Sequence, residues 1–185
     1  MCQNRQESTT ESDFIFVIDY VSGVTCLDNN LYVIYRLSNT IGVFTGDLYK
    51  EVRAIKVDGM RFPLDIVACR DSRQLYVADS GSDPAEECIW RVSAVHPGQY
   101  VKWLTVGQFS VQSLSMTASG LLVVSPTSLH QYSMTDAQLT RAIPLPNYVR
   151  YVFHGVETKR GTFVIGHRGR ETSEMHAAVS QLYDQ

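Results

Sequence analysis

His154, His167 and His176, with the carboxylates Asp65, Asp79, Asp83, Glu86, Glu87 and Glu157, are the side chains of this sequence best suited to chemistry. An imidazole can exchange a proton near neutral pH or bind a metal. Carboxylates converging on one point can hold calcium, which takes about six to eight oxygens. Along the chain nothing assembles such a site. There is no His-Glu-x-x-His, and Cys2, Cys26, Cys69 and Cys88 form no Cys-x-x-Cys pair. Neither a Ser-His-Asp order nor a phosphate-cradling glycine loop stands out. The expectation is a chain with no catalytic residue, no metal and no cofactor. Groups distant in sequence meet only in the fold, so the elements that carry them decide what they can do.

Those elements repeat. Leu31-Tyr32-Val33, Leu75-Tyr76-Val77, Leu121-Leu122-Val123 and Thr162-Phe163-Val164 recur at offsets of 44, 46 and 41 residues. Short strands at such a period indicate propeller blades, and no stretch has the 3.6-residue periodicity that helical repeats need. Each repeat divides alike. Inner strands are expected at Gly23–Cys26, Asp65–Cys69, Ser113–Met116 and Gly155–Glu157. Polar turns rich in Asn, Asp and Gly follow, and these residues tolerate the positive φ of tight hairpins. The Leu-Tyr-Val strand returns, a third strand follows at Thr40–Phe44, Cys88–Ser93, Ser128–Ser133 and Met175–Tyr183, and outer strands at Glu51–Val57, Tyr100–Val106 and Leu139–Pro146 close three repeats. The expected fold is an all-β propeller of about four blades of four-stranded antiparallel sheet, near 21–60, 61–108, 109–148 and 149–185, after a polar, disordered leader over 1–13. The fourth repeat has no outer strand of its own, and Phe14–Tyr20 is a spare one. It either completes that blade or belongs to a larger ring of which this chain is a part.

The second repeat carries a resemblance. Phe62-Pro63-Leu64-Asp65-Ile66-Val67-Ala68, then Leu75-Tyr76-Val77-Ala78-Asp79-Ser80, then Ile89-Trp90-Arg91-Val92 resemble the NHL repeat, and the chain is similar to six-bladed, TolB-like propellers. The Gly-His and Trp-Asp signatures of WD40 blades are absent. The resemblance implies a partial six-bladed propeller and a binding platform, not a reaction. It also implies that Asp79 holds the loop after its strand through backbone N–H groups.

In a propeller the loops entering the inner strands share one face with the loops between second and third strands. This places Ser22, Asp65, Gln112 and His154 at the channel mouth, with Arg36, Asp79, Asp83, Glu86, Glu87, His167, Arg168 and Arg170 in the adjoining loops. Ser22, Arg36, Asp65, Asp83, Gln112, His154, His167, Arg168 and Arg170 are the expected contacts for a protein or peptide partner. A metal-dependent, lactonase-like propeller hydrolase or lyase with a central divalent cation is the second reading, with Asp65 and Glu157 as its inner-strand carboxylates. Single-stranded RNA binding is the third, resting on Arg36, Arg168 and Arg170.

Composition weighs against that third reading. The 185 residues are 44% hydrophobic and 19% charged with a net charge of −3, whereas phosphate binding favours a basic excess. No segment reaches the roughly 18 to 20 apolar residues of a membrane span; Phe14 to Val21 is short and contains Asp19. No membrane partner is expected, and a cytoplasmic location follows if the N-terminus is authentic. Oligomeric state is left open. Cys26 and Cys69 fall at matching inner-strand positions and should pack between blades. Cys69 and Cys88 fall at opposite ends of their strands, too far apart for a disulfide, which needs Cα atoms within about 7 Å. Trp90 and Trp103 should pack between blades as well.

Overall fold

The computed structural model describes residues 20–47, 50–107, 109–168 and 177–182, the last stretch by its backbone. Expectations for the leader 1–13, the spare strand over 14–19, Arg170 and His176 lie outside these residues.

Three four-stranded antiparallel meanders follow one another. The first is β1 (Val21–Leu27), β2 (Asn30–Tyr35), β3 (Thr40–Thr45) and β4 (Glu51–Lys56). The second is β5 (Pro63–Cys69), β6 (Gln74–Asp79), β7 (Cys88–Ser93) and β8 (Tyr100–Thr105), with a short 3-10 helix, Pro84–Glu86, between β6 and β7. The third is β9 (Ser113–Met116), β10 (Leu121–Val124), β11 (Ser128–Tyr132) and β12 (Leu139–Pro144). A fourth sheet has three strands among the described residues: β13 (Arg150–Glu157), β14 (Phe163–Arg168) and β15 (Ala177–Leu182).

Local chemistry sets these strands. β6 reads Gln-Leu-Tyr-Val-Ala-Asp and is buried from its second residue onward, as befits a strand covered on both faces. β4 reads Glu-Val-Arg-Ala-Ile-Lys and is largely exposed, as befits an outer edge blunted by charge. The turn between β1 and β2 puts Asp28 at φ +55°, a conformation Asp accepts more readily than most residues.

Packing runs from each sheet to the next. The inner strands β1, β5, β9 and β13 touch in that order, while among the described residues the outer strands make no comparable contacts across sheets. Sheets that meet along inner strands and diverge outward are propeller blades. The core accordingly lies between blades. Tyr32, Ile34, Ile41 and Val43 meet Leu75, Val77, Trp90 and Val92. Tyr76, Ala78 and Trp103 meet Leu121, Val123 and Tyr132. Leu122 and Val124 meet Phe163 and Ile165. Each Val, Leu, Ile or Phe among them contributes about 1.5–3 kcal/mol when fully buried. Trp90 thus serves the first interface and Trp103 the second.

These interfaces correct the repeat alignment. Phe163 and Ile165 face backward, as Leu75 with Val77 and Leu121 with Val123 do. Phe163, not Thr162, therefore stands where Leu121 does. A one-residue slip exchanges the two faces of a strand, so this single step decides which side chains meet which blade. Cys26 is corrected too. It opposes Leu31 as Ala68 opposes Leu75, so it stands level with Ala68 and not with Cys69, and it is exposed, whereas Cys69 is half-buried against the third blade.

Candidate functional site: the channel-mouth face

Strand pairing fixes which residues stand level at the channel mouth. Gly23, Asp65, Ser113 and His154 oppose Ile34, Ala78, Val124 and Gly166 in their respective sheets. Ser22 and Gln112, expected at this level, lie one residue earlier. Irregular pairing near Ser22, Leu64, Tyr151 and Phe153 inserts extra residues at the starts of β1, β5 and β13, and such bulges re-aim side chains.

Several polar groups at this mouth join blades. Ser22 Oγ donates to the Pro63 carbonyl at 2.7 Å, linking the first blade to the second. Asp65 Oδ2 accepts the Leu114 N–H of the third blade at 2.8 Å, and its Oδ1 accepts the Ile66 N–H at 2.8 Å. Burial pushes the Asp65 carboxyl up, against the two N–H bonds and the His154 charge, which pull it down. Glu87 is buried, not a rim residue: its Oε1 accepts from the Val111 N–H at 2.7 Å and from Ser110 Oγ at 3.3 Å. Burial raises its carboxyl as well.

Asp79 closes β6 and is 2% exposed. Its Oδ1 accepts from Phe62 N at 2.7 Å and Gly81 N at 3.2 Å; its Oδ2 accepts from Arg61 N at 3.0 Å and Trp90 Nε1 at 2.9 Å. The carboxylate therefore holds the loop before the inner strand as well as the loop after its own strand, and it fixes Trp90 in the first interface.

What faces solvent is a subset of the expected rim. Arg36, Asp83, Glu86, Gln112, His154 and Arg168 are exposed. Asp83 Oδ1 accepts from Ala85 N at 2.8 Å and so caps the short helix. His167 lies inside β14 and is 3% exposed, with Nδ1 2.8 Å from the Arg168 carbonyl; it is not in a loop. The Arg168 guanidinium lies over the rings of Tyr151 and Phe153, at 5.6 and 6.0 Å, a cation–π arrangement.

Two clefts open on this face. One, of about 740 Å³, lies between the third and fourth blades and is lined by Gln112, Pro126, Pro146, Val149, Arg150 and Tyr151. The other, of about 440 Å³, lies between the second and third, with Asp83, Glu87 and Phe109 in its wall. A larger cleft of about 810 Å³ lies on the opposite face, among the hairpin turns, with Arg91, Tyr100 and Thr117 in its wall. Arg150, Tyr151 and the prolines were missed in the sequence, although the loop run Pro144-Leu145-Pro146 just before an inner strand marks them.

The carboxylates do not converge. Asp65 stands at the mouth end of its inner strand, while Glu157 pairs with Phe163 at the far end of β13, three residues beyond the level of Asp65. At the rise of a strand that is about 10 Å. Among the described residues no group of three or more His, Cys, Asp or Glu could hold a metal ion. Cys69 and Cys88 oppose Gln74 and Asp79, the two ends of β6.

No family model and no curated protein sequence matches the chain. Solved structures do. Hydrazine synthase of Kuenenia stuttgartiensis is similar with a TM-score of 0.65 and 16% identity, over 80% of this chain and 43% of that one. The β-propeller domain of Cps50 (Swd1) from Myceliophteria thermophila is similar at 0.60 and 9%, over 80% and 49%. The computationally designed Ika4 protein is similar at 0.57 and 12%, over 90% and 93%. The fold is a β-propeller, and the chain spans less than half the length of the first two. At these identities the likeness concerns the fold alone.

Proposed function

We propose that the chain is a non-catalytic propeller scaffold that binds a short extended segment of a partner protein across its channel-mouth face. The cleft between the third and fourth blades carries this reading. Prolines, Val149 and the Tyr151 ring give an apolar, pre-formed floor, and Arg150 and Gln112 add polar groups at the edge. Such a floor suits an extended backbone, with charge supplying register. Exposed Asp83 and Glu86 lie toward the second blade and Arg150 and Arg168 toward the fourth, so the fitting segment is acidic at one end and basic at the other. The NHL-repeat resemblance of the second blade supports a reading of the chain as an NHL-like or TolB-like propeller. A protein partner is favoured over nucleic acid by the net charge of −3.

The test is selection of peptides from a random 12-residue display library on the chain. Binding of the enriched peptides should fall at least 10-fold with Tyr151→Ala and with Arg150→Glu, and should be unmoved by Arg91→Glu on the opposite face. Failure to enrich any peptide, or peptides indifferent to Tyr151 and Arg150, would overturn the reading.

A further inference from the structure

The two ends of the blade series differ from its middle. On the backward-facing side of each blade, equivalent inner-strand residues are Val24, Ile66 and Leu114, opposing Val33, Val77 and Val123. Ile66 and Leu114 are 4% and 2% exposed, but Val24 is 54% exposed. Leu31 and Val33 are partly exposed where Leu75 and Val77 are fully covered. The backward side of the first sheet also bears Cys26 and Phe44, which oppose Leu31. It is an apolar face of the kind the second and third blades bury.

The last blade shows the complementary defect. On the forward side, Tyr32, Tyr76 and Leu122 are 3%, 2% and 1% exposed. Their counterpart Val164 is partly exposed, and Val156, which opposes it, is 39% exposed. The inner strands β5 and β9 expose no large apolar side chain, whereas β1 exposes Val21 and Val24 and β13 exposes Phe153 and Val156. Among the described residues no contact comparable to those between successive inner strands joins β13 back to β1.

We propose that a second copy of this chain covers both faces, the forward side of the fourth blade in one copy meeting the backward side of the first blade in the other. A backward face is built to receive a forward face, as the three interfaces within the chain already do. Each copy offers one of each kind. A head-to-tail contact made twice closes a ring and leaves no end open. The arc matches the β-propeller domain of Cps50 (Swd1) over 49% of that chain, so two copies supply about one full circle, of eight blades in place of the six that the NHL-repeat resemblance implies. Apolar faces left in water are otherwise aggregation sites. This assembly is independent of peptide binding at the channel mouth.

Sedimentation equilibrium on the 185-residue chain should give twice the 20.8 kDa chain mass. Val24→Glu at one end and Val156→Glu at the other should each return the particle to one chain mass, with circular dichroism and tryptophan fluorescence unchanged. Val24→Gln, a milder substitution at the same exposed site, should weaken the dimer at least 10-fold. A monomeric wild type overturns the proposal. So does a dimer sensitive to only one of the two ends, which would mean like faces pairing, and so do open-ended assemblies that grow with concentration.

Discussion

Trp90 Nε1 donates to Asp79 Oδ2 at 2.9 Å inside the interface of the first two blades. The same carboxylate takes the N–H groups of Arg61 and Phe62, so one side chain holds a channel-mouth loop and an interfacial ring together. Asp79→Asn replaces one acceptor oxygen by an NH2 that faces donors. Leaving buried donors unpaired costs about 1–3 kcal/mol each, so a loss of about 2–3 kcal/mol is expected in urea unfolding followed by tryptophan fluorescence. An unchanged midpoint accompanied by lost peptide binding would make Asp79 a ligand-contacting residue instead.

Glu87 sets a pH dependence of unusual sign for a carboxylate. Burial raises its pKa in the folded chain, helped by the nearby Asp79 charge and opposed by the Val111 and Ser110 hydrogen bonds. A raised folded pKa means the native state takes up the proton at higher pH than the unfolded chain does. Protonation therefore favours folding as pH falls through the folded value, and above it the ionised group costs stability. Glu87→Gln keeps the acceptor and removes the titration. The melting temperature of wild type relative to this variant should rise between pH 7 and pH 4; a fall would mean that the hydrogen bonds outweigh desolvation.

The cysteines should separate by reactivity. Cys26 is exposed, whereas Cys88 is buried and its thiol is pushed up to about 11, chiefly by burial. At pH 8 only about one Cys88 in a thousand is thiolate, the reactive form. Iodoacetamide on the native chain should modify Cys26 and spare Cys88, and the same reagent in denaturant without reductant should modify Cys69 and Cys88 alike. Mass spectrometry of the tryptic peptides reads both outcomes.

Gly120 tests the hairpin of the third blade. A Cβ there would overlap the Tyr132 carbonyl of the neighbouring strand, backbone that cannot rotate aside. Gly120→Ala should cost about 2 kcal/mol or more, read as a lowered urea midpoint. A neutral effect would mean that the pairing of β10 with β11 relaxes freely.

Repeat period, strand order and the pairing of blades were legible because alternation and turn residues are local signals. The half-step errors were not. Thr162-Phe163-Val164 and Phe163-Val164-Ile165 fit the repeat equally well by type, and only packing of Phe163 against the third blade separates them. Ser22 and Gln112 stand one residue before the level of Asp65 and His154, an offset that only the strand pairing reveals. Glu87 read as a rim charge because its partner, the Val111 N–H, lies 24 residues away. His167 read as a loop residue because β14 runs further than its motif.

The chain of neighbours from β1 through β5 and β9 to β13 has a consequence for how the native state opens. Within one chain, among the described residues, each blade leans on those beside it, so a single chain behaves as a short one-dimensional stack. In a chain released from its second copy the first and fourth blades can fray while the middle pair stays intact, and closing the ring removes that freedom. A substitution in β6 or β10 splits such a stack, whereas one in β2 or β14 merely shortens it.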